Sequence, residues 1–213
     1  MNTADMRKSI ISCLCLVIVF CVLGYLTTVS WFIDFDKQLL NLLNGVRFPA
    51  VIDFFKFMTL MGSTKVIFPV VVIAIIFLLF LRRSVSAVAV LFGFFGVRLL
   101  NIVLKGVFMR ERPSGHHYVE ASGYSFPSGH TMNAIGVYGI IAYVLYRILK
   151  NQTLKWAAAV IFMLLILLIG LSRPILGVHY FSDIAAGYTA GGIWLIMMTM
   201  IVKKYEKERA IEH

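Results

Sequence analysis

Three short pieces of the 213-residue chain carry most of its chemically useful side chains. The first is Lys105 followed by Arg112-Pro113, the second Pro127-Ser128-Gly129-His130, and the third Ser172-Arg173 with His179 and Asp183 downstream. Together they offer three fixed cations, two imidazoles, one carboxylate and a helix start built of small residues. A guanidinium forks onto two phosphate oxygens and an ammonium adds a point charge, so Lys105, Arg112 and Arg173 suit a phosphoryl group. Ser128 follows a proline and precedes a long apolar stretch, the pattern of a helix N-cap. The N–H groups of Gly129 and His130 would then face outward at the positive end of a helix dipole, where phosphate binds readily.

His179 and Asp183 are four residues apart and share one face of a helix. A carboxylate beside an imidazole fixes its tautomer and supports its cationic form, which leaves the other ring nitrogen free to attack. His130 has no such partner in its own helix and is suited to protonating a departing oxygen. A metal held by His130, His179 and Asp183 is the alternative, and three clustered cations oppose it electrostatically; no metal or other cofactor is expected.

These residues have to be held by elements that lie in a membrane. The composition is 60% hydrophobic and only 14% charged, too apolar for a soluble domain of this length. The pattern predicts an all-α integral membrane bundle of six transmembrane helices forming one domain over 1–213. The spans fall at about 10–33, 64–81, 84–109, 128–149, 154–171 and 182–202, with interfacial helices over about 36–61. In the first interfacial helix Leu39, Leu42, Leu43 and Val46 form the apolar side, and Lys37, Asn41 and Asn44 the polar one. Each Arg-Pro pair should lie at an extended break beyond a span, because the residue before proline is pushed out of helical geometry. The three pieces thereby reach one depth, at one end of the bundle. Arg98, Asn101 and Lys105 share a face of the third span that must point into the bundle, with Arg98 expected to be structural, paired to a carboxylate or to carbonyls.

The remaining signals are weaker. Cys13, Cys15 and Cys21 all fall in the first span and imply neither disulfide nor metal. Gly187 and Gly191 are a small-xxx-small pair expected to mark close helix packing. Asn151-Gln152-Thr153 matches a glycosylation acceptor, but it falls in a loop assigned to the cytoplasm. The net charge of +10 does not point to nucleic acid, since no extramembrane segment is long enough for a binding module. Basic residues collect in alternate connections: Arg7, Lys8, Arg82, Arg83, Arg147, Lys150, Lys155 and the tail after Val202. That asymmetry puts both termini in the cytoplasm and the reactive cluster on the outer face of the cell membrane.

Lys105-x6-Arg112-Pro113, Pro127-Ser128-Gly129-His130 and Ser172-Arg173-x5-His179-x3-Asp183 together resemble the three-part signature of the type 2 phosphatidic acid phosphatase (PAP2) family. All signature positions are matched in the right order, and the six-span layout covers nearly the whole chain. The resemblance implies a metal-independent phosphatase in which His179 attacks phosphorus to form a phosphohistidine, Asp183 supports it and His130 protonates the leaving group. By the same resemblance Lys105, Arg112, Ser128, Gly129 and Arg173 hold the phosphoryl oxygens, and the partner is a lipid phosphate in the bilayer. Within the family the chain looks like the bacterial phosphatases of phosphatidylglycerophosphate and undecaprenyl diphosphate, with a broader phosphatidic acid-type activity as the alternative. The superfamily's haloperoxidases are large soluble proteins, unlike this compact membrane bundle. A transporter or channel lined by Arg98, Asn101 and Lys105 belongs to another class, and would leave the gathering of two histidines, a carboxylate and three cations without a purpose.

Overall fold

The computed structural model describes residues 3–209, and all regular structure among them is helical. The order is α1 (Thr3–Leu26), α2 (Ser30–Leu42), a 3-10 turn (Leu43–Val46), α3 (Pro49–Met61), α4 (Thr64–Phe80), α5 (Ser84–Phe108), α6 (Gly129–Asn133), a π-helical turn (Ala134–Tyr138), α7 (Gly139–Ile148), α8 (Gln152–Ile175) and α9 (Phe181–Arg209). Five stretches are long and apolar enough to cross a bilayer: α1, α5, α6 through α7, α8 and α9. A sixth crossing arises if α3 and α4 count as one span bent by 45° at Gly62-Ser63. The chain is a multi-pass membrane protein.

Several boundaries differ from the sequence expectation, each for a local reason. The run 10–33 does not continue as one helix. Thr27 and Thr28 turn their hydroxyls back onto Gly24 O and Tyr25 O, and α2 restarts at Ser30. The inward face of α2 is Asp36 and Leu40, while Leu42 is 75% exposed. Leu42 therefore faces away from the protein, while Leu40 shares the inward face with a carboxylate that has a partner.

The fifth span runs on to Ile175, so Arg173-Pro174 lies inside the last turn of α8 and not at an extended break. Pro174 is the penultimate residue of α8, and the helix closes in a Schellman motif. The N–H of Gly177 bonds Pro174 O at 3.0 Å and that of Val178 bonds Arg173 O at 3.1 Å. Arg47 completes the end, donating from Nε to Ile175 O and from Nη2 to Pro174 O, both at 2.9 Å. Gly177 has φ +79°, and a Cβ there would stand 2.5 Å from the His116 carbonyl oxygen. Only glycine fits this turn, which redirects the chain from Arg173 toward His179.

α9 runs along α1 and crosses α5 and α6. Gly187 and Gly191 make the approach to α6 as close as expected, with Cβ positions 2.8 Å from Thr131 Cβ and 3.1 Å from Met132 O. The main apolar core joins α4, α5, α7 and α8 through Ile67, Val71, Val90, Phe94, Val137, Ile140 and Ile169. Burying a side chain of this kind contributes roughly 1.5–3 kcal/mol, before the discount that a lipid surround imposes on the outer ones. The loop from Arg110 to Ser128 is pinned by Phe126, which is fully buried against Phe20 of α1 and Phe108 of α5, with ring centroids at 5.7 and 4.7 Å.

Candidate active site

The site lies where the Arg110–Ser128 loop meets the C-terminus of α8 and the starts of α6 and α9. Its centre is His179, just ahead of α9, and Asp183, in the first turn of α9. Both are buried. His179 Nδ1 lies 3.2 Å from Asp183 Oδ2, and Ser125 Oγ donates to the same oxygen at 2.5 Å. Tyr180 N donates to that oxygen at 2.9 Å. The other ring nitrogen, Nε2, stands 3.1 Å from Arg112 Nη1. Arginine can only donate, so Nε2 must carry a lone pair and Nδ1 the proton. Burial pushes the His179 pKa down from 6.5 to about 3, the cations Arg173 and Arg112 push the same way, and Asp183 opposes them. The resting imidazole is thus neutral and orientated by a carboxylate, and its bare nitrogen is turned toward a guanidinium.

Arg112 is itself bound by carbonyls: Nε to Gly123 O at 3.0 Å, Nη2 to Ser122 O at 2.7 Å and Nη1 to Val178 O at 2.8 Å. Lys105, in the last turn of α5, donates to Tyr124 O. Two cations therefore grip one strip of loop, residues 122–124. Arg173 is almost wholly buried, donates from Nη1 to Thr59 Oγ1 of α3, and leaves its Nε without a partner. A buried, unsatisfied guanidinium N–H is costly, and an anion would satisfy it. Lys105, His130 and Arg173 make no direct bond to the His179–Asp183 pair. His130 sits across from Gly62, whose Cβ position is 3.2 Å from its Cδ2.

Ser128 precedes α6 as expected, but its side chain makes no capping bond to the helix. Its hydroxyl accepts from Thr131 Oγ1 at 3.0 Å, and its N–H donates to Asp183 O at 3.0 Å, so the helix start is tied to α9 by backbone. Asn101 supports this segment from α5, donating to Pro127 O at 3.1 Å. A Cβ on Gly129 would come 2.8 Å from Asn101 Oδ1. Arg98 is not paired as expected: no ion pair among the described residues includes it. Its Nη1 donates to Thr64 Oγ1, and its guanidinium carbon lies 5.5 Å from the centre of the Phe94 ring.

Sequence reasoning missed Arg110, Asp36 and Ser125. Arg110 bridges two buried carboxylates, with Nη1 2.7 Å from Asp183 Oδ1 and Nη2 2.9 Å from Asp36 Oδ2. It also donates to Ser182 Oγ at 2.7 Å and lies over the Tyr180 ring at 4.2 Å. Asp36 accepts in addition from Ser182, so α2 is locked to the start of α9. One signal could have pointed to this: Asp36 lies four residues before Leu40 and so shares a helix face with an apolar residue, which calls for a buried partner.

The arrangement is a carboxylate-orientated imidazole facing a guanidinium, with further cations and a second imidazole around it. Such a pocket can take the phosphoryl group of an ester and transfer it to nitrogen. Residues 86–207 match the family model described as PAP2 superfamily. Phosphatidylglycerophosphatase B of Bacillus subtilis is 33% identical over 167 residues, covering 76% of this chain and 79% of that protein. Lipid A 4'-phosphatase of Porphyromonas gingivalis is 28% identical over 195 residues, covering 83% and 75%. The crystal structure of the transmembrane PAP2 type phosphatidylglycerolphosphate phosphatase from Bacillus subtilis superposes with a TM-score of 0.84 at 30% identity, over 92% of this chain and 96% of that one. Aquifex aeolicus LpxE superposes with a TM-score of 0.63 at 27% identity, over 77% and 94%. Signature, fold and sequence agree, and the chain belongs to the PAP2 superfamily as a membrane phosphatase.

Proposed function

We propose that this enzyme hydrolyses lipid phosphates in two steps through a phosphohistidine on His179. The observation that carries the proposal is the Nε2 lone pair of His179, held outward by the Asp183 contact on Nδ1 and turned toward Arg112. In the first step Nε2 bonds to phosphorus as the ester P–O bond breaks, and His130 gives its proton to the departing lipid oxygen. Asp183 stabilises the positive charge that grows on the His179 ring. In the second step water attacks phosphorus, the P–N bond breaks, and His130 takes the water's proton. Arg112, Arg173 and Lys105 hold the phosphoryl oxygens, together with Ser128 and the N–H of Gly129. Fixed cations of this kind stabilise the charge that develops in the transition state, the task a divalent ion performs in many phosphatases.

The substrates that fit best are phosphatidylglycerophosphate and undecaprenyl diphosphate. The first is favoured by the relatives in Bacillus subtilis, whose names specify that lipid. The second is favoured by the charge asymmetry of the loops, which puts the termini in the cytoplasm and the site on the outer face of the cell membrane. Purified full-length enzyme should release phosphate from one or both lipids, and should do so after thorough chelation. Loss of activity on chelation, restored by magnesium or zinc, would overturn the metal-independent mechanism. A reporter fused near His117 that registers cytoplasm would overturn the outward orientation.

A further inference from the structure

Arg98 has no role in the chemistry above, and its surroundings are unusual. It lies within the apolar span α5, where a charge is expensive and marks a function by default. Among the described residues no carboxylate pairs with it, and its polar partner is the Thr64 hydroxyl. That bond is accessible from outside the protein, and Arg98 is only partly buried. Beside it lies the buried ring of Phe94, with the half-exposed ring of Phe68 packed 6.0 Å from that one. The guanidinium therefore sits beside an aromatic ring with most of its donors uncommitted.

Its position relative to the site is specific. Arg98 lies seven residues before Lys105 on the same helix face, about 10 Å along the axis at 1.5 Å per residue. Thr64, to which it bonds, follows Gly62 by two residues, and Gly62 abuts His130. Arg98 is thus on the His130 flank, deeper toward the membrane interior than the Lys105 end of the helix. Because His130 serves the departing oxygen, this is the side on which the lipid leaving group must lie. Asn101, between the two cations, is committed to Pro127 O and Met132 Sδ, so it leaves the two charges as separate stations.

We propose that Arg98, with Thr64 Oγ1, is a second anion-binding position that receives a phosphate carried by the leaving group itself. It selects lipids bearing two phosphates over lipids bearing one. The inference rests on the lipid phosphatase reading above and names the substrate class of that site. A guanidinium can fork onto two phosphate oxygens, and in a low-dielectric setting with no competing carboxylate this contact discriminates strongly. Two sources share this chemistry: a terminal phosphomonoester joined through glycerol to a phosphodiester, and a polyprenyl diphosphate.

The test compares kcat/KM for phosphatidylglycerophosphate, undecaprenyl diphosphate and phosphatidic acid in the wild type, Arg98→Gln and Arg98→Lys. The readout is the ratio of each two-phosphate lipid to phosphatidic acid within one preparation, so that any loss of folded material cancels. For at least one two-phosphate lipid the ratio should fall by about 10- to 100-fold in Arg98→Gln, the loss of one charge-assisted contact. It should fall less in Arg98→Lys, which keeps the charge without the fork, and the lipid whose ratio moves identifies the source. Ratios unchanged in both variants for both lipids overturn the assignment while leaving the phosphatase reading intact. A wild type that releases phosphate from none of the three lipids overturns that reading and this inference with it.

Discussion

Arg110→Gln is the substitution whose cost can be worked most directly from the structure. The Arg110 side chain is 9% exposed, and the two carboxylates it joins, Asp36 and Asp183, are 2% and 0% exposed. Removing one partner of a buried pair costs about 3–5 kcal/mol, because the other charge stays buried and uncompensated. Two carboxylates are stranded here, but the cost does not double. Asp183 keeps Tyr180 N and Ser125 Oγ, and Asp36 keeps the two donors of Ser182. Arg110→Gln should therefore lose about 3–5 kcal/mol of stability. Asp36→Asn alone, which leaves Arg110 paired to Asp183, should lose about 1–3 kcal/mol. The double variant is the decisive measurement. Once Arg110 is gone, neutralising Asp36 removes a stranded charge, so Arg110→Gln/Asp36→Asn should be more stable than Arg110→Gln alone. Unfolding by SDS titration in mixed micelles measures all three. A loss below about 1 kcal/mol for Arg110→Gln, the value of an exposed pair, would refute the claim that this bridge locks α2 to Asp183. Additive losses in the double variant would refute the coupling.

Three further outcomes follow from the same geometry. Gly177→Ala puts a Cβ against the His116 carbonyl at a φ of +79°, so it should cost at least 1–2 kcal/mol by about the left-handed penalty alone, lower the Tm and displace His179, with kcat falling more than KM rises. The His179 imidazole, with its pKa pushed to about 3, should stay neutral with the proton on Nδ1 from pH 5 to 8 in nitrogen-15 spectra, and a titration near 6.5 would refute this. Because unfolded histidine titrates near its usual value of about 6.5, the unfolded chain binds a proton that the folded one refuses, and this contribution to stability is lost as pH falls from there toward 3. Asp183→Asn should abolish turnover and also destabilise the fold, since an amide NH2 must meet either Arg110 or the donors Tyr180 N and Ser125 Oγ; unchanged unfolding would contradict that hydrogen-bond count.

What was legible in the sequence was whatever a local pattern forces. Apolar runs set the spans, and the four-residue spacing brings His179 to Asp183, although His179 lies in the turn just ahead of α9 and not on the helix face that the spacing predicts. The residues that the sequence did not yield act over long separations. Arg110 meets Asp36 and Asp183 across 74 and 73 residues, and Arg47 caps the end of α8 from 128 residues away. No periodicity records such partners. The Arg173-Pro174 break failed as an expectation because proline's local preference was outweighed by the Schellman turn at Gly177 and by burial of Arg173. The amphipathic reading of α2 did not yield its inward face, which holds Leu40 and Asp36, because the partners of that carboxylate, Arg110 and Ser182, lie far along the chain. Arg98 was read as a structural charge paired to a carboxylate or to carbonyls because a charge within a span is expensive, and only the three-dimensional arrangement reveals its hydroxyl partner.

The central claim is that His179 Nε2 takes the phosphoryl group, and trapping that bond tests it most directly. Wild-type enzyme mixed with a lipid carrying a radiolabelled terminal phosphate, quenched in alkali within one turnover, should hold an acid-labile, alkali-stable phosphate. Mass spectrometry should map that label to His179. His179→Ala should carry no label, whereas His130→Ala should form it more slowly by about 10²–10⁴-fold with a poor leaving group and less so with nitrophenolate. Label that persists in His179→Ala, or maps to His130 in the wild type, would contradict the account.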